Sequence, residues 1–342
     1  MNTLNRKNVA FVGIGKHALE HLIPSLMVTP GMNFYTAYSR SKEKLLKIKE
    51  LYNVETVAQS LDDILNDPKV DIVAVSGSPS FHYSIALSAL KKGKHVFIEK
   101  PPATNKKELL NLLKYAKLNN VSIVVGYNFS RGTRLYEVKT KIGTNLIKHI
   151  DITYTSKRPR ELQYHYKDLV ENGLYVLAIH AFHTLIEEFG EVEKLSTLFS
   201  PFDKNLYKIE HFFKLKSGKT ATLSWGNYYN KFIFNITLID IKGNNYSILS
   251  MRDLLFSSSK LDKDKGSVFR PLSAGDSNYS LTGYQENWNI LRESINSGEL
   301  YLKDLKNSIY IFDIFSIILK DLNFSKKPNL LEHNISKLKL MK

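Results

Sequence analysis

Val9-Ala10-Phe11-Val12-Gly13-Ile14-Gly15-Lys16-His17-Ala18 decides how the rest of the chain reads. Four apolar residues suited to a buried strand run into two glycines one residue apart, and an amphipathic stretch follows. The order is strand, tight turn, helix. Gly13 permits the turn, Gly15 lets backbone approach a pyrophosphate, and Ala18 is small enough for the helix to pack on the strand. The helix N-terminus adds unpaired N–H groups and a positive dipole end that suit phosphates. G-x-G-x-x-A alone is a weak signal. Its place at the first strand, with further strand–helix units behind it, gives it weight.

Those units follow in order. His17 to Met27 reads as a helix stopped by Thr29-Pro30-Gly31, and Phe34 to Tyr38 reads as the second strand. Ser39-Arg40-Ser41-Lys42 then falls where a ribose-reading acid stands in dinucleotide domains, about twenty residues past the glycines. No acid is present. Ser39 can donate a hydrogen bond and Arg40 can stack on adenine or pair with a phosphate, which favours NADP over NAD. Ser41 also suits a helix cap. Val70 to Val75 is a buried strand, and Ser76-Gly77-Ser78-Pro79-Ser80-Phe81-His82 is the turn at its carboxyl end, the edge that faces the ligand crevice. Tyr83 to Lys92 is a helix ended by Gly93, and Lys94 to Ile98 is a strand running into Glu99-Lys100-Pro101-Pro102. A residue before proline is held extended, so Lys100 is expected to project into that same crevice. There an ammonium can stabilise negative charge developing on a substrate oxygen.

Gly13-x-Gly15-x-x-Ala18, Ser78 to His82, Ala89 to Val96 and Glu99-Lys100-Pro101 occur in an order and at a spacing that resemble the glucose–fructose oxidoreductase, inositol dehydrogenase and rhizopine-catabolism (Gfo/Idh/MocA) family. The stretch Gly93-Lys94-His95-Val96 with Glu99-Lys100-Pro101 is the most specific part. The likeness is strong to about residue 135 and thin afterwards. It implies an NAD(P)-dependent oxidoreductase built from a doubly wound parallel Rossmann sheet and an α+β domain with a large open, mainly antiparallel sheet. The expected division is 1–126 and 127–342, with a C-terminal helix that packs back on the first domain. Ser76, Ser78, Pro79, His82, Glu99 and Lys100 then join Gly13, Gly15, Ala18, Ser39 and Arg40 as cofactor-binding candidates. Asn128, in Gly126 to Arg131 after the strand Val121 to Val125, is a further candidate by resemblance. Asparagine after a strand is also a routine turn former, and Arg131 can serve a substrate phosphate or a helix carboxylate.

Beyond residue 146 the periodicity changes. Ile147 to Ser156, His211 to Lys216, Thr220 to Tyr228, Phe232 to Ile241 and Tyr246 to Ser250 alternate with period two and read as an antiparallel sheet. By resemblance its open face makes subunit contacts, so a dimer or tetramer of identical chains is expected. Gly173 to Phe189 reads as a helix. The family places an Asp four residues before a His there, and His180 fills the histidine position as a proton carrier. Val176 stands where the acid belongs. Tyr175 and His183 are the nearest stand-ins. His180 and His183 also have ligand-like spacing, but no third ligand is evident and no metal is expected. Ser257 to Gly275 is polar and reads as a mobile loop that can border the active site.

At 342 residues the chain is long enough for two domains. Apolar residues make up 43% and charged ones 24%, an ordinary globular balance. With no cysteine, redox chemistry needs a bound cofactor. The net charge of +15 comes from scattered lysines and not from blocks, which argues against nucleic acid and favours an anionic substrate or NADP. No apolar run approaches the ~20 residues of a membrane span, and the first residues have no signal-peptide pattern. The expectation is a cytoplasmic enzyme acting on a sugar, sugar phosphate or nucleotide sugar. The missing acid before His180 leaves open a regulatory protein that keeps the fold without the reaction, and an imine reductase.

Overall fold

Val9 to Val12 are fully buried, as in a strand covered on both faces, where an unbroken apolar run replaces alternation. The computed structural model describes residues 6–54, 56–157, 161–164, 166–203, 205–257, 268–270, 277–322, 329–335 and 337–341, with backbone alone at 268–270 and 329. The chain divides into two units, Met1–Tyr127 with Tyr284–Ile309 and Asn128–Gly283 with Tyr310–Lys342.

In the first unit, β1 (Lys7–Val12), β2 (Met32–Tyr38), β3 (Ile72–Val75), β4 (His95–Ile98) and β5 (Ile123–Val125) form a parallel sheet in the order β2-β1-β3-β4-β5. Strand order reverses at β1, so the carboxyl ends of β1 and β3 flank the point where such sheets bind ligands. Gly13 has φ +89°, and a Cβ there would fall 2.0 Å from the Ser76 carbonyl oxygen. Only glycine lets these two strand ends approach so closely. The helix after β1 opens with a π turn, Ala18–Leu22, before the α segment Ile23–Met27.

The C-terminal stretch completes this sheet. The helix Tyr284–Ser297 buries Trp288 completely, stacked on Phe97 at 4.4 Å and edge-on to Phe11 at 5.9 Å. Its indole N–H donates to Ser25 Oγ at 2.9 Å. The Ile123 N–H donates to the Tyr301 carbonyl and the Val125 N–H to Asp304 Oδ2, so the β5 edge is covered.

Among the described residues the second unit holds nine strands: β6 (Ile147–Thr155), β7 (Val192–Asp203), β8 (Leu206–Leu215), β9 (Thr220–Gly226), β10 (Ile233–Asp240), β11 (Asn245–Leu249), β12 (Asp253–Ser257), β13 (Val268–Arg270) and β14 (Asn329–His333). Their order is β13-β12-β11-β10-β6-β9-β8-β7-β14, antiparallel except for the β6–β9 pair. Along β8, Tyr207, Ile209, His211, Phe213 and Leu215 are buried while the intervening side chains remain accessible, Phe212 at 44%.

Three readings need correction. The helix expected from Tyr83 starts at Pro79, because Ser78 caps it and proline is preorganised for the first turn. Within the expected loop Ser257 to Gly275, Val268–Arg270 pairs with β12, a strand too short to show alternation, while 258–267 and 271–275 lie outside the described residues. The helical run Leu169–Phe189, 21 residues with an 18-residue window of mean hydropathy 1.3, is long and apolar enough to cross a membrane. Yet 83% of its apolar window is buried inside this unit, which accounts for its composition.

Candidate active site

A cavity of about 900 Å3 opens at the strand-order reversal, lined by Gly13 to His17, Tyr38 to Ser41, Lys44, Leu61, Ser76 to Ser78, Phe81 and Ile85. Gly13, Gly15, Ser39, Arg40, Ser76 and Ser78 thus line one cavity. A Cβ built on Gly15 meets no atom within 4 Å, so this turn borders open space. Ala18 is fully buried and serves packing. Ser41 Oγ accepts from the Lys44 N–H and caps the helix Lys42–Tyr52, so the same tripeptide both caps and lines. Lys44 and His17 are among the lining residues left unassigned in the sequence. Lys44 lies in the first turn of the helix Lys42–Tyr52, and its backbone N–H is the one that the Ser41 cap accepts from. His17 lies inside the quoted glycine turn.

Pro79, His82, Glu99, Lys100 and Asn128 do not line this cavity. His82 Nε2 accepts from the Gly77 N–H at 2.8 Å, which fixes the tautomer, and Nδ1 donates to the Pro101 carbonyl at 2.9 Å. Burial holds this ring below the usual histidine range. It is a neutral buckle between the turn after β3 and the Lys100-Pro101 loop, whose peptide bond is cis. Glu99 is buried, with Oε2 accepting from the Lys100 N–H and Oε1 lying 3.6 Å from His17 Nε2. Burial works against its charge, but His17, Lys100 and His82 together hold the carboxyl below its ordinary range. For Lys100 burial dominates and lowers the amine below the usual lysine range, while Glu99 opposes the shift. An amine so placed is a better proton donor than a surface lysine and keeps a carboxylate beside it.

In the second unit the expected helix is three pieces, Leu169–Gly173, the π turn Leu174–Ala178 and Ile179–Phe189. π turns widen the ring to i→i+5 and often mark functional positions. His180 is 4% exposed and stacks on Phe129 at 4.3 Å, with Tyr154 edge-on at 6.3 Å. Tyr175 stacks on Tyr166 at 5.2 Å and meets Phe312 and Phe315 edge-on. Burial pushes its phenol above the ordinary range, so it is a poor stand-in for a carboxylate. His183 is fully buried, with Nδ1 3.1 Å from Ser130 Oγ. The Asn128 side-chain amide donates to the Thr282 carbonyl at 2.8 Å, a turn-former's role. Among the described residues no group of three His, Asp or Glu could hold a metal ion.

Residues 7–127 match the model of an oxidoreductase family with an NAD-binding Rossmann fold, Gfo/Idh/MocA. What the family model matches is the first unit, the one with the parallel sheet. The chain is 29% identical over 170 residues to a putative oxidoreductase, YceM, of Salmonella typhimurium, covering 49% of this chain and 53% of that protein. To the myo-inositol 2-dehydrogenase of Thermotoga maritima it is 26% identical over 187 residues, covering 54% and 55%. The chain thus spans about half the length of the curated relatives it matches. The fold extends further. A dehydrogenase from Chromobacterium violaceum superposes with a TM-score of 0.85 over 92% of this chain and 94% of that one at 21% identity. The Gfo/Idh/MocA match therefore rests on the unit that carries the cavity and Lys100, while the unit with His180 is shared as architecture.

Proposed function

We propose that this chain is an NADP-dependent oxidoreductase moving a hydride to or from a carbohydrate-like hydroxyl or ketone on a sugar, sugar phosphate or nucleotide sugar. The observation that carries the reading is the cavity walled by the glycine turn, Ser39, Arg40 and Lys44, with no acid among its lining residues. Gly13 forced by close strand approach and Gly15 facing open space fit a dinucleotide's diphosphate. Ser39, Arg40 and Lys44 would hold the adenosine end, and their positive charge suits a 2′-phosphate. When bound, the nicotinamide supplies or accepts the hydride.

Lys100 is the residue assigned to polarise the substrate oxygen, with Glu99 keeping part of its charge in place. His180 is the assigned proton carrier. The substrate class draws on the likeness to a myo-inositol 2-dehydrogenase. A dimer or tetramer of identical chains through the accessible face of the nine-stranded sheet, where Phe212 is exposed, completes the reading. A second reading is favoured by Val176 in the acid's place and by Tyr175 locked in an aromatic stack. It is either reduction of an imine, which needs no carboxylate relay, or binding without turnover.

The cofactor choice is tested by fluorescence titration. NADPH is expected to bind more tightly than NADH, and Arg40→Ser is expected to weaken NADPH by about tenfold, ~1.4 kcal/mol, while leaving NADH unchanged. Equal or tighter binding of NADH by the unmutated chain would remove the preference for NADP.

A further inference from the structure

One oxygen of Glu99 lies outside the proposed chemistry. Oε2 accepts from the Lys100 N–H at 3.3 Å, whereas Oε1 is buried and accepts no hydrogen bond among the described residues. The space around it is made by a glycine. A Cβ on Gly126, directly after β5, would collide with Oε1. A buried charged oxygen without a donor is costly unless a compensating group faces it.

His17 is that group, with Nε2 3.6 Å from Oε1. A carboxylate can only accept, so a proton on Nε2 is the arrangement that favours the pair. Two rings flank the imidazole, His21 with centroids 5.1 Å apart and Tyr284 at 5.6 Å, and these two stack on each other at 5.2 Å. Burial, followed by His17, keeps His21 below the usual histidine range, so at neutral pH it lends Glu99 no positive charge. Burial also opposes ionisation of Glu99, but His17, Lys100 and His82 outweigh it and the carboxylate keeps its charge.

His17 lines the cavity, with its side chain 43% exposed, and Glu99 does not. The imidazole therefore stands between a buried negative charge and the space assigned to a dinucleotide. We propose that His17 is a positioning residue that screens Glu99 from the anionic diphosphate of the cofactor. Two requirements conflict at this corner of the first unit. The amine of Lys100 is served by a carboxylate beside it, and a diphosphate in the glycine turn is repelled by one. A ring that turns an N–H toward Oε1 and covers it from the cavity side meets both. This role rests on the reading of the cavity as a dinucleotide site.

Calorimetric titration of His17→Ala, and of the same change combined with Glu99→Gln, tests the screen without any substrate. His17→Ala removes a half-exposed side chain and is expected to keep the thermal midpoint of the unmutated chain. It is expected to bind NADPH and NADH each about tenfold more weakly, since an uncovered like charge opposes the ligand. Both nucleotides lose alike because both carry the diphosphate, in contrast to Arg40→Ser, which is expected to act on NADPH alone. In the double variant both affinities are expected to return to within about threefold of the unmutated chain, because the charge is gone although the imidazole is still missing. Undiminished binding by His17→Ala would overturn the screen. So would a double variant as weak as His17→Ala, which would make the imidazole a direct contact. Should Glu99→Gln fail to fold, His17→Ala decides alone. An unmutated chain that binds neither nucleotide is a separate result: it removes the dinucleotide reading of the cavity and this role with it.

Discussion

Lys100→Met is expected to lower kcat by about 10²- to 10³-fold, the usual cost of removing one preorganised donor to a developing oxyanion, while NADPH affinity stays within about threefold, ~0.7 kcal/mol. Lys100 stands two residues past the end of β4, next to the buried Glu99 and immediately before Pro101, whose carbonyl anchors the His82 buckle. Methionine keeps the length and apolar stem but carries no proton and no charge. Glu99 would keep His17 Nε2 as a neighbour, 3.6 Å from its Oε1. The check is NADPH oxidation over a panel of sugars, sugar phosphates, nucleotide sugars and imines, beside a fluorescence titration of NADPH. Wild-type turnover in the variant would remove Lys100 from the chemistry. Loss of NADPH binding together with turnover would assign it to the cofactor instead.

Trp288→Ala is expected to destabilise the first unit by about 3–5 kcal/mol, as large-to-small changes at fully buried aromatics do. The indole fills the space between Phe11 on β1 and Phe97 on β4, and its N–H is bonded to Ser25. Its loss leaves a cavity under the two strands that end in the glycine turn and in Glu99-Lys100. Urea unfolding would show the change, and a midpoint equal to that of the unmutated chain would mean that the Tyr284–Ser297 helix is not integral to this sheet. Trp288→Phe keeps most of the stacking area and is expected to cost far less.

The parallel sheet was legible because its strands are short apolar runs set off by glycine, proline and capping residues, each acting locally. Lys100 was expected to project into the crevice of the glycine turn, yet it does not line that cavity. β7 was not legible. Its outward residues include Leu198 beside Lys194 and Ser196, and Pro201 interrupts it, so the alternation is blurred. His82 looked like a ligand residue from its place in a crevice-edge turn, yet its two nitrogens are spent on backbone groups of Gly77 and Pro101, the second 19 residues away. No local pattern shows that. Tyr175 likewise stood one residue from the lost carboxylate, but Phe312 and Phe315 from the far end of the chain enclose it. Spacing finds residues that share a turn; it cannot see which distant side chains claim them.

Gly15→Val tests dinucleotide binding most directly, because a Cβ at Gly15 touches nothing and the substitution should leave the fold intact. Its thermal midpoint is expected to match that of the unmutated chain, while calorimetric titration shows NADPH affinity reduced by at least about tenfold, ~1.4 kcal/mol. NADPH bound with undiminished affinity by a folded Gly15→Val chain would contradict the placement of the dinucleotide in this cavity.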